Sequence, residues 1–276
     1  MTDRYAVIGH PIAHSRSPSI HARFAAQTGQ DLAYDRLLAP LDGFEATARA
    51  FFAEGGRGLN VTLPFKEQAF SIADVRSPRV QAAGAANTLA WDGRTLFADN
   101  TDGLGLVRDL TGRWGQVLAG ATVLMLGAGG AARGVVLPLL EAGVGRILVA
   151  NRTIARAQAL AARFADARVE GGGFDRLAQD APADALLINA TSAGLAEQGL
   201  PVPPAVYRRA RFAYDMVYGA EPTAFLREAR AAGCPASADG LGMLVEQAAE
   251  SFRIWRGVSP DTEPVYRALR DEIRRP

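Results

Sequence analysis

The sequence predicts an α/β protein of two domains, an N-terminal α/β domain and a C-terminal doubly wound parallel sheet, with a cleft between them. Three observations support this fold class. The chain has 276 residues, and at roughly 150 residues per domain this length suggests two domains. Strand-like and helix-like segments alternate along most of the chain, as in parallel sheets covered by helices. A glycine-rich turn at residues 127–132 follows an apolar segment and opens a helix-like one.

The N-terminal part of the chain alternates between short strands and helices. The first helix has Ser17 as its candidate N-cap and Gly29 as its candidate C-cap. Asp92-Gly93 lies between two strand-like segments, residues 88–91 and 94–98, and indicates a hairpin. The other predicted strands are residues 4–9, 31–38 and 58–62, and the predicted helices are residues 18–28 and 41–54.

The C-terminal part has a more regular alternation. Residues 121–126 are apolar, which is typical of a fully buried strand, and Gly143 closes the helix that follows. Residues 102–110 are expected to cross between the domains as a helix, and a helical pattern returns at residues 243–255. The remaining predicted elements are strands at residues 146–150, 184–190 and 211–217 and helices at residues 131–142 and 154–164.

Composition and charge narrow the class of function. The net charge is +1 with acidic and basic residues interspersed, which does not fit a nucleic-acid-binding surface and favours a small substrate. A single cysteine, Cys234, excludes a disulfide within the chain and fits a reducing compartment. Residues 115–132 carry no charge, but their glycines and the adjacent Arg133 favour a strand and turn over a membrane span. No signal-peptide pattern is present, so we expect a cytoplasmic protein. We also expect that it binds no metal ion and no membrane.

The glycine-rich turn fits a dinucleotide-binding loop. Gly127-Ala128-Gly129-Gly130-Ala131-Ala132 has the pattern G-x-G-x-x-A between a strand and a helix, which is the context that this motif requires. Gly127 permits a tight turn, Gly129 lets the backbone approach a diphosphate, and Ala132 allows the helix to pack closely on the sheet. The N–H groups at the helix N-terminus favour an anion. A glycine-rich turn without a ligand is the alternative, but the context favours a Rossmann-like domain.

The turn after the next strand indicates the cofactor. An NAD-selective site usually has Asp or Glu there, which binds the ribose 2′-hydroxyl. This sequence has Asn151-Arg152-Thr153-Ile154-Ala155-Arg156, without an acid. Arg152 and Arg156 are expected to share one face of the opening helical turn, where two guanidinium groups would bind a 2′-phosphate and Thr153 could add a hydroxyl. A solvated basic helix start is the alternative, but a helix N-terminus disfavours cations, so we predict NADP(H).

Three polar clusters lie in the N-terminal domain. Ser15 and Ser17 could bind one anion at a helix start, although simple capping by Ser17 explains the same residues. Lys66 follows a predicted strand and could sit in a cleft, although a lone lysine is more often at the surface. Asp102 precedes a glycine, as turn and cap residues often do. None of the three clusters identifies a reaction when it is taken alone.

Taken together, these segments resemble the shikimate dehydrogenase family, whose members reduce 3-dehydroshikimate with NADPH in aromatic amino-acid biosynthesis. Ordered matches to the family's motifs span nearly the whole chain, which is much more specific than any single motif. They begin with Gly9-His10-Pro11-Ile12-Ala13-His14-Ser15 and end with Asp239-Gly240-Leu241-Gly242-Met243 and the nearby Gln247. The other matching segments are residues 17–18, 60–66, 84–88, 99–103, 127–132, 151–153, 189–192 and 215–218.

The resemblance implies roles for individual residues. Lys66 and Asp102 would form the catalytic pair. The substrate would be held through its carboxylate and its ring hydroxyls by Ser15, Ser17, Thr62, Lys66, Asn87, Asp102, Tyr218 and Gln247. NADP(H) would be held by the glycine loop, the arginine turn and three residues on the nicotinamide and ribose side, which are Gly127, Ala128, Gly129, Gly130, Ala131, Asn151, Arg152, Thr153, Arg156, Thr191, Met216 and Gly240.

The resemblance also implies a division of the chain. Residues 1–103 would form the substrate-binding catalytic domain, completed by C-terminal helices in residues 243–276, and residues 104–242 would form the NADP-binding domain. The partner would be a small molecule, shikimate or 3-dehydroshikimate, and the enzyme a monomer or homodimer. Two alternatives remain open: a quinate/shikimate dehydrogenase of broader specificity, and an NADP(H)-binding sensor without catalysis.

Overall fold

The chain folds into two compact units. The computed structural model describes residues 2–191 and 199–274. Unit 1 comprises Met1–Gly105 and Val245–Ala268, and unit 2 comprises Leu106–Leu244 and Leu269–Pro276. The chain therefore leaves unit 1 and later returns to it, and its last segment belongs to unit 2. Ser192, in one of the segments that resemble the family, lies outside the described residues.

Each unit is built on one six-stranded sheet. The strands of unit 1 are β1 (Asp3–Gly9), β2 (Leu32–Leu38), β3 (Gly56–Val61), β4 (Val75–Arg76), β5 (Thr88–Trp91) and β6 (Leu96–Asp99). The strands of unit 2 are β7 (Thr122–Leu126), β8 (Arg146–Ala150), β9 (Val169–Gly172), β10 (Leu186–Asn189), β11 (Phe212–Asp215) and β12 (Ser237–Asp239). The helices, in chain order, are α1 (Ser17–Thr28), α2 (Phe44–Ala53), α3 (Lys66–Ile72), α4 (Pro78–Ala83), α5 (Asp102–Arg108), α6 (Gly130–Glu141), α7 (Ile154–Phe164), α8 (Asp175–Asp180), α9 (Pro204–Arg209), α10 (Ala224–Ala231), α11 (Leu241–Arg256) and α12 (Glu263–Arg274). A π-helical turn, Asp109–Arg113, follows α5 directly.

The strand order in unit 1 brings several strand ends to one edge of the sheet. The order is β2-β1-β3-β5-β6-β4; β1 runs parallel to β2 and β3, whereas β5 is antiparallel to both β3 and β6. In the register, Asn60 near the end of β3 faces Thr88 at the start of β5, and Thr88 faces Asp99 at the end of β6. The residues that follow β3 and β6 therefore start from the same edge, next to the residue that precedes β5.

The sheet of unit 2 is parallel throughout, in the order β12-β11-β10-β7-β8-β9. The chain starts in the middle at β7, winds outward through β8 and β9, and continues on the other side of β7 with β10, β11 and β12. This is a doubly wound sheet with its switch point between β7 and β10, where the carboxyl ends of the strands form a crevice for ligands. Along β7, Val123 and Met125 join one buried cluster and Leu124 and Leu126 another, so both faces of the sheet are covered. The predicted fold class is confirmed.

Local details differ from the predictions at two turns. Ser17 is not the N-cap of α1: it is the first helical residue, and Arg16 occupies the cap position without a side-chain cap hydrogen bond. Gly29 ends α1 in the left-handed conformation, as predicted. The hairpin is confirmed, but its turn extends to Thr95, because Asp92 Oδ1 accepts hydrogen bonds from backbone N–H groups inside the turn.

The structure also contains elements that the sequence does not reveal. These are α3, β4, α4, β9, α8, α9, α10 and β12, whereas α12 lies in the C-terminal segment where the resemblance implies helices. The helices α3, α4, α8, α9 and α10 have only six to eight residues, and β4 and β12 have two and three. Periodicity needs a window of about 11–18 residues to be readable for a helix, which explains why short elements escape it.

Three observations bear on membranes, metals and thiol chemistry. None of the described helices is both long and apolar enough to cross a membrane. In residues 2–191 and 199–274, no three His, Cys, Asp or Glu side chains come together so as to hold a metal ion. Cys234 is buried in unit 2, where its thiol faces the main-chain oxygens of Ala210 and Ala236, and burial raises its pKa. The thiol is therefore protonated and unreactive at neutral pH.

A buried histidine in unit 1 is held neutral by its surroundings. His21, on α1, is fully buried and stacks on Tyr34 with ring centroids 4.2 Å apart. Its Nε2 lies 3.1 Å from Asn60 Oδ1. Because Asn60 Nδ2 donates to the main-chain oxygen of Asn87, the Oδ1 atom is the one that faces His21, so Nε2 carries the proton. Burial lowers the pKa of His21 to about 3, since a charged imidazolium would lose its hydration.

We expect the protein to lose stability in acid through His21. An unfolded histidine takes up a proton near pH 6.5 and the folded one only near pH 3, so each unit of pH decrease between these values lowers the free energy of unfolding by about 1.4 kcal/mol. Above pH 6.5 both states hold a neutral imidazole, and this contribution is constant. Urea unfolding of the wild type and of His21→Gln between pH 7 and pH 4, followed by tryptophan fluorescence, measures the difference in slope.

His14→Gln is the matched control for this experiment, because His14 is exposed. The control should keep the pH dependence of the wild type, whereas His21→Gln should flatten it. Equal slopes for the wild type and His21→Gln would contradict the assignment of the acid sensitivity to the buried ring.

Candidate active site

Two charged side chains meet at the edge of the unit 1 sheet. Lys66 is the first residue of α3, after β3, and Asp102 is the first residue of α5, after β6. Because β3 and β6 end at the same edge, the two side chains come together, and Lys66 Nζ donates to Asp102 Oδ2 at 2.6 Å. The side chains are 28% and 15% exposed. The pair is therefore shielded enough for a strong interaction and still accessible to a small molecule.

The lysine of this pair is unusual in the chain. Lys66 is the only lysine among the 30 Lys and Arg residues. An arginine would supply the same positive charge but cannot give up its proton in a protein, whereas the ammonium group of a lysine can. One lysine in a chain that otherwise uses arginine therefore fits a role in proton transfer better than a role as a fixed charge.

An amide holds the second oxygen of the carboxylate. Asn87, which precedes β5, donates from Nδ2 to Asp102 Oδ1 at 2.8 Å and accepts the Thr101 N–H at its Oδ1 at 2.9 Å. Lys66 and Asn87 thus bind different oxygens of Asp102, and the carboxylate cannot rotate without breaking one of these bonds. Gln247, on α11, places its Oε1 3.2 Å from Asn87 Nδ2. The structure therefore brings four of the predicted residues together from separate parts of the sequence.

A pair of serines lies at the start of α1. Ser15 Oγ and Ser17 Oγ are 3.2 Å apart, and the Ser17 N–H donates to Ser15 Oγ at 3.3 Å. Arg36 Nη2 donates to the main-chain oxygen of Ser15 at 2.7 Å, which fixes this turn. Two hydroxyl groups at a helix N-terminus suit a carboxylate, because the partial positive charge of the helix adds to the hydrogen bonds. The alternative of simple capping by Ser17 is wrong, since Ser17 lies inside the helix.

Hydrogen bonds lead from Tyr34 through Asn60 to Asn87, which holds Asp102. Tyr34 donates to Asn60 Oδ1 at 2.7 Å. Burial raises the pKa of Tyr34 well above its usual range, so the phenol keeps its proton and remains a donor. Asn60 Nδ2 reaches the main-chain oxygen of Asn87 at 3.2 Å and Ser251 Oγ at 3.0 Å. A continuous polar network therefore runs beneath this edge of the sheet.

Sequence reasoning gave no role to three residues of this network, Tyr34, Asn60 and Ser251. Tyr34 and Ser251 lie outside the segments that match the family. Asn60 lies inside one, and a polar side chain in the otherwise apolar end of β3 is the one signal that could have identified it. The neighbouring Thr62, which is a predicted contact, is half-buried between the ends of β1 and β3, where its N–H donates to the Ile8 oxygen at 3.0 Å.

The glycine loop of unit 2 lies at the switch point of its sheet. Gly127 follows β7 with a φ of +101°, and a Cβ there would lie 2.8 Å from Thr191 Cγ2, so only glycine fits. Gly129 is the N-cap of α6, which begins at Gly130, and a Cβ added to Gly129 would meet no atom within 4 Å. Ala132 is fully buried under the helix. The loop thus turns tightly, packs closely and leaves open space before the N–H groups of α6, as a phosphate requires.

The two predicted arginines flank the start of α7. Asn151 Nδ2 donates to the main-chain oxygen of Thr153 at 2.9 Å, which shapes a bend directly after β8. Because α7 begins only at Ile154, Arg152 lies in the bend and Arg156 in the first helical turn. The prediction that they share one helical face is therefore wrong. Both arginines are exposed, and they border the same β8–α7 turn, next to the strand that carries the glycine loop.

Further loops follow neighbouring strands of unit 2 at the same edge. Gly240, after β12, approaches the backbone of Met216 so closely that a Cβ would lie 2.3 Å from the Met216 oxygen. Asp215, at the end of β11, is fully buried and accepts hydrogen bonds from Asn189 and Thr223. Burial raises the pKa of Asp215 above its usual range. These contacts fix the end of β10 and the residues that directly follow β11 and β12.

The predicted site residues are distributed over both units. Lys66, Asp102 and Gln247 belong to unit 1 together with the serine pair, whereas the glycine loop and the arginine turn belong to unit 2. Tyr218 lies in unit 2, in the loop after β11, and is half-buried. Its expected role beside Ser15 stays a prediction.

Three family models match successive segments of the chain. Residues 7–89 match the model described as shikimate dehydrogenase substrate binding domain. Residues 109–196 match the model of shikimate / quinate 5-dehydrogenase. Residues 240–270 match the model of shikimate 5'-dehydrogenase C-terminal domain.

Curated relatives are similar to the chain over its full length. A shikimate dehydrogenase (NADP(+)) of Alkalilimnicola ehrlichii is 57% identical over 273 residues, which are 99% of this chain and 100% of the relative. A shikimate dehydrogenase (NADP(+)) of Janthinobacterium sp. is 55% identical over 273 residues, which are 99% of this chain and 98% of the relative.

Solved structures share the fold. An Ael1 enzyme from Pseudomonas putida has a TM-score of 0.92 and 46% identity, and the match covers 97% of this chain and 98% of that one. The shikimate 5-dehydrogenase of Thermus thermophilus, solved in complex with NADP(H) and shikimate, has a TM-score of 0.86 and 38% identity, and the match covers 98% of this chain and 99% of that one.

Proposed function

The chain belongs to the shikimate dehydrogenase family, and on this premise we propose that it catalyses the reversible reduction of 3-dehydroshikimate to shikimate with NADPH. It is an NADP-dependent oxidoreductase, and the reaction belongs to the shikimate pathway of aromatic amino-acid biosynthesis. The observation that supports the proposal most directly is the contact of 2.6 Å between Lys66 and Asp102, which involves the only lysine of the chain.

In the proposed reaction Lys66 provides the proton. Hydride transfer to a ketone carbon builds negative charge on the carbonyl oxygen. The ammonium group of Lys66 stabilises this charge and donates a proton to it, and in the oxidation direction the amine takes the proton back. Asp102 accepts a hydrogen bond from Lys66 and so orients Nζ, while Asn87 keeps the carboxylate from rotating. NADPH, when bound, supplies the hydride.

The substrate contacts are proposed from unit 1 with one addition from unit 2. Ser15 and Ser17 suit the carboxylate, since their hydroxyl oxygens lie 3.2 Å apart at the start of α1. Asn87 and Gln247 border Asp102 and suit ring hydroxyls, because an amide can both donate and accept. The ring contacts are assigned to Thr62, Lys66, Asn87, Asp102 and Gln247, and Tyr218 is assigned to the carboxylate.

The cofactor contacts are proposed from unit 2. The N–H groups at the start of α6 and the open space at Gly129 suit the diphosphate. The turn from Asn151 to Arg156 contains no acid, and its two exposed arginines suit a 2′-phosphate, which favours NADP(H) over NAD(H). The full proposed set is Gly127, Ala128, Gly129, Gly130, Ala131, Asn151, Arg152, Thr153, Arg156, Thr191, Met216 and Gly240.

A broader specificity is the second candidate, because one matching family model is described as shikimate / quinate 5-dehydrogenase. We favour shikimate, on the expectation that paired serines accommodate it better than the bulkier quinate. A sensor without catalysis would have no use for the Lys66–Asp102 pair.

We further propose that the enzyme works in the cytoplasm as a monomer or homodimer on small molecules, which fits its single cysteine and its net charge of +1.

The purified protein should reduce NADP⁺ rapidly with shikimate. The test uses NADP⁺ and NAD⁺, each with shikimate and with quinate, and follows reduction of the cofactor by absorbance. Turnover with shikimate and NADP⁺ alone supports the proposal. Comparable rates with quinate move the assignment to the broader candidate, and NADPH binding without turnover in any combination would overturn the catalytic proposal.

Replacement of the lysine should remove most of the catalysis. Lys66→Met is expected to lower kcat by about 10²–10⁴-fold with little change in the KM for shikimate, which is the usual effect of removing a general acid. Lys66→Arg keeps the charge but not the transferable proton, so it should remain well below the wild type. A Lys66→Arg enzyme as fast as the wild type would mean that the charge alone matters, and a fast Lys66→Met enzyme would refute the assignment.

A charge reversal at the arginine turn should change the cofactor preference. Arg152→Asp removes a charge-assisted hydrogen bond to the 2′-phosphate and adds an acceptor for a ribose hydroxyl. We expect kcat/KM for NADP⁺ to fall by about 10–100-fold, with a relative gain for NAD⁺. Arg163→Asp, an exposed position at the other end of α7, makes the same charge change as a control. An unchanged preference in Arg152→Asp would show that the turn does not bind the 2′-phosphate.

A further inference from the structure

The sheet edge that carries the Lys66–Asp102 pair rests on a buried group of charges. Asp99, the last residue of β6, and Glu250, on α11, are 2% and 1% exposed. Arg79, on α4, contacts both, with Nη2 at 2.5 Å from Asp99 Oδ2 and 3.7 Å from Glu250 Oε1. Arg253 pairs with Glu250 at 2.7 Å. We call Arg79, Asp99, Glu250 and Arg253 the anchor cluster; its two carboxylates and two guanidinium groups balance in charge.

Asp99 is the centre of this cluster, and both of its carboxylate oxygens and its main-chain oxygen accept hydrogen bonds. Its Oδ1 accepts from Ser77 Oγ at 2.6 Å and from the Asn100 N–H at 2.7 Å. Its carboxylate receives Arg79 as a fork, with Nε at 3.2 Å from Oδ1 and Nη2 on Oδ2. Its main-chain oxygen accepts the Asn87 N–H at 3.1 Å. Asp99 therefore holds the start of the turn that leads to Asp102 and also the amide residue that orients Asp102.

The hydrogen bonds continue from Asp99 to the catalytic carboxylate. Asn100 Nδ2 donates to the main-chain oxygen of Ala85 at 2.9 Å, and Asn100 Oδ1 accepts the Asp102 N–H at 3.2 Å. The Thr101 N–H donates to Asn87 Oδ1 at 2.9 Å. Both residues between Asp99 and Asp102, Asn100 and Thr101, are thus held by hydrogen bonds. A shift of Asp99 is therefore transmitted to the Asp102 carboxylate.

The same arginine also reaches the helix that carries Gln247. Glu250 lies one helical turn after Gln247 on α11, so both side chains project from the same side of the helix. Ser251, the next residue, is fully buried and bonds to Asn60 Nδ2 at 3.0 Å and to Thr88 Oγ1 at 2.7 Å. The anchor cluster and Ser251 therefore fix α11 against the edge where the site residues start.

We propose that Arg79 and Asp99 are positioning residues for the reaction: they set the orientation of Asp102, and through it of Lys66, without touching the substrate. A forked guanidinium–carboxylate contact defines both direction and distance, and a buried carboxylate tolerates no loss of its partner. Displacement of a catalytic group by about 1 Å can cost on the order of 10²-fold in rate, so the accuracy of this anchor matters for turnover. The kinetic part of the test rests on the proposed function.

A double-mutant cycle separates positioning from simple folding support. Asp99→Asn keeps the shape of the side chain and an oxygen for Ser77 and Asn100, but loses the charge that binds Arg79. We expect it to lower kcat/KM for shikimate by about tenfold in the wild-type background and by less than about twofold when Asp102 is already Asn, because the two act through one carboxylate. The KM for NADP⁺ should stay unchanged. Equal losses in both backgrounds would overturn the proposal.

A spectroscopic readout tests the same idea without turnover. Since Lys66 is the only lysine, protein labelled with lysine that carries ¹³C at Cε alone gives the Cε signal of this one residue in a carbon–proton NMR spectrum. Asp99→Asn should move this signal. Asp3→Asn is the matched control. Asp3 forms an ion pair with Arg256 at the start of β1, on the side of the sheet away from the ends of β3 and β6. This substitution should leave the lysine signal and kcat/KM unchanged.

The possible outcomes are distinguishable. If the wild type does not oxidise shikimate but Asp99→Asn shifts the lysine signal, the proposed function is refuted and the positioning role is supported. An unmoved signal with additive kinetics in an active enzyme would refute the positioning role alone. If Asp99→Asn does not fold, Ser77→Ala removes one donor to Asp99 and leaves the ion pair intact. It should then shift the signal in the same direction by a smaller amount, and no shift would count against the proposal.

Discussion

The contact between Lys66 Nζ and Asp102 Oδ2, at 2.6 Å, is the interaction that the hydrogen bonds at this edge of the unit 1 sheet hold in place. The chain uses arginine for every other permanent cation and keeps a single lysine here. The proton-transfer role that we propose for Lys66 requires a group that can lose its proton, and a guanidinium group cannot. A lysine on a flexible stem is useful only if its ammonium group is held in place, and the fixed carboxylate of Asp102 does this.

The sheet of unit 1 explains how that carboxylate is fixed. The antiparallel β5 lies between β3 and β6, so Asn60, Thr88 and Asp99 form a row across one edge. The polar groups of this row are buried, and a buried polar group without a partner costs about 1–3 kcal/mol. Their mutual hydrogen bonds and the Arg79 fork remove that cost and leave a single arrangement. We therefore expect this edge to be rigid, as the proposed reaction requires.

Unit 2 follows a different principle, because we propose that the diphosphate of its ligand is bound by backbone N–H groups. Gly127 has a backbone conformation and a contact with Thr191 that exclude any side chain, whereas Gly129 faces open space. The parallel sheet directs the ends of β7, β8, β10 and β11 to one edge, so the glycine loop and the arginine turn lie on neighbouring strands. The arginines remain suited to a 2′-phosphate even though they do not share a helical face, since their positions come from the turn after β8 and not from helical spacing.

The sequence by itself determined the elements whose signals are local. Apolar segments and the glycines at their ends predicted β7, α6, β8 and α7. The glycine pattern between a strand and a helix predicted the parallel sheet. These signals can be read because they come from residues close together in the chain. Lys66 and Asp102 were identified by their likeness to a family and not by spacing. Only the tertiary structure decided that Gln247 meets Asn87, that Asn60 joins His21 to Ser251, and that Arg79 anchors Asp99. These contacts join residues on different strands and helices, and no pattern within one segment can specify a partner that only the folding of the sheet brings near.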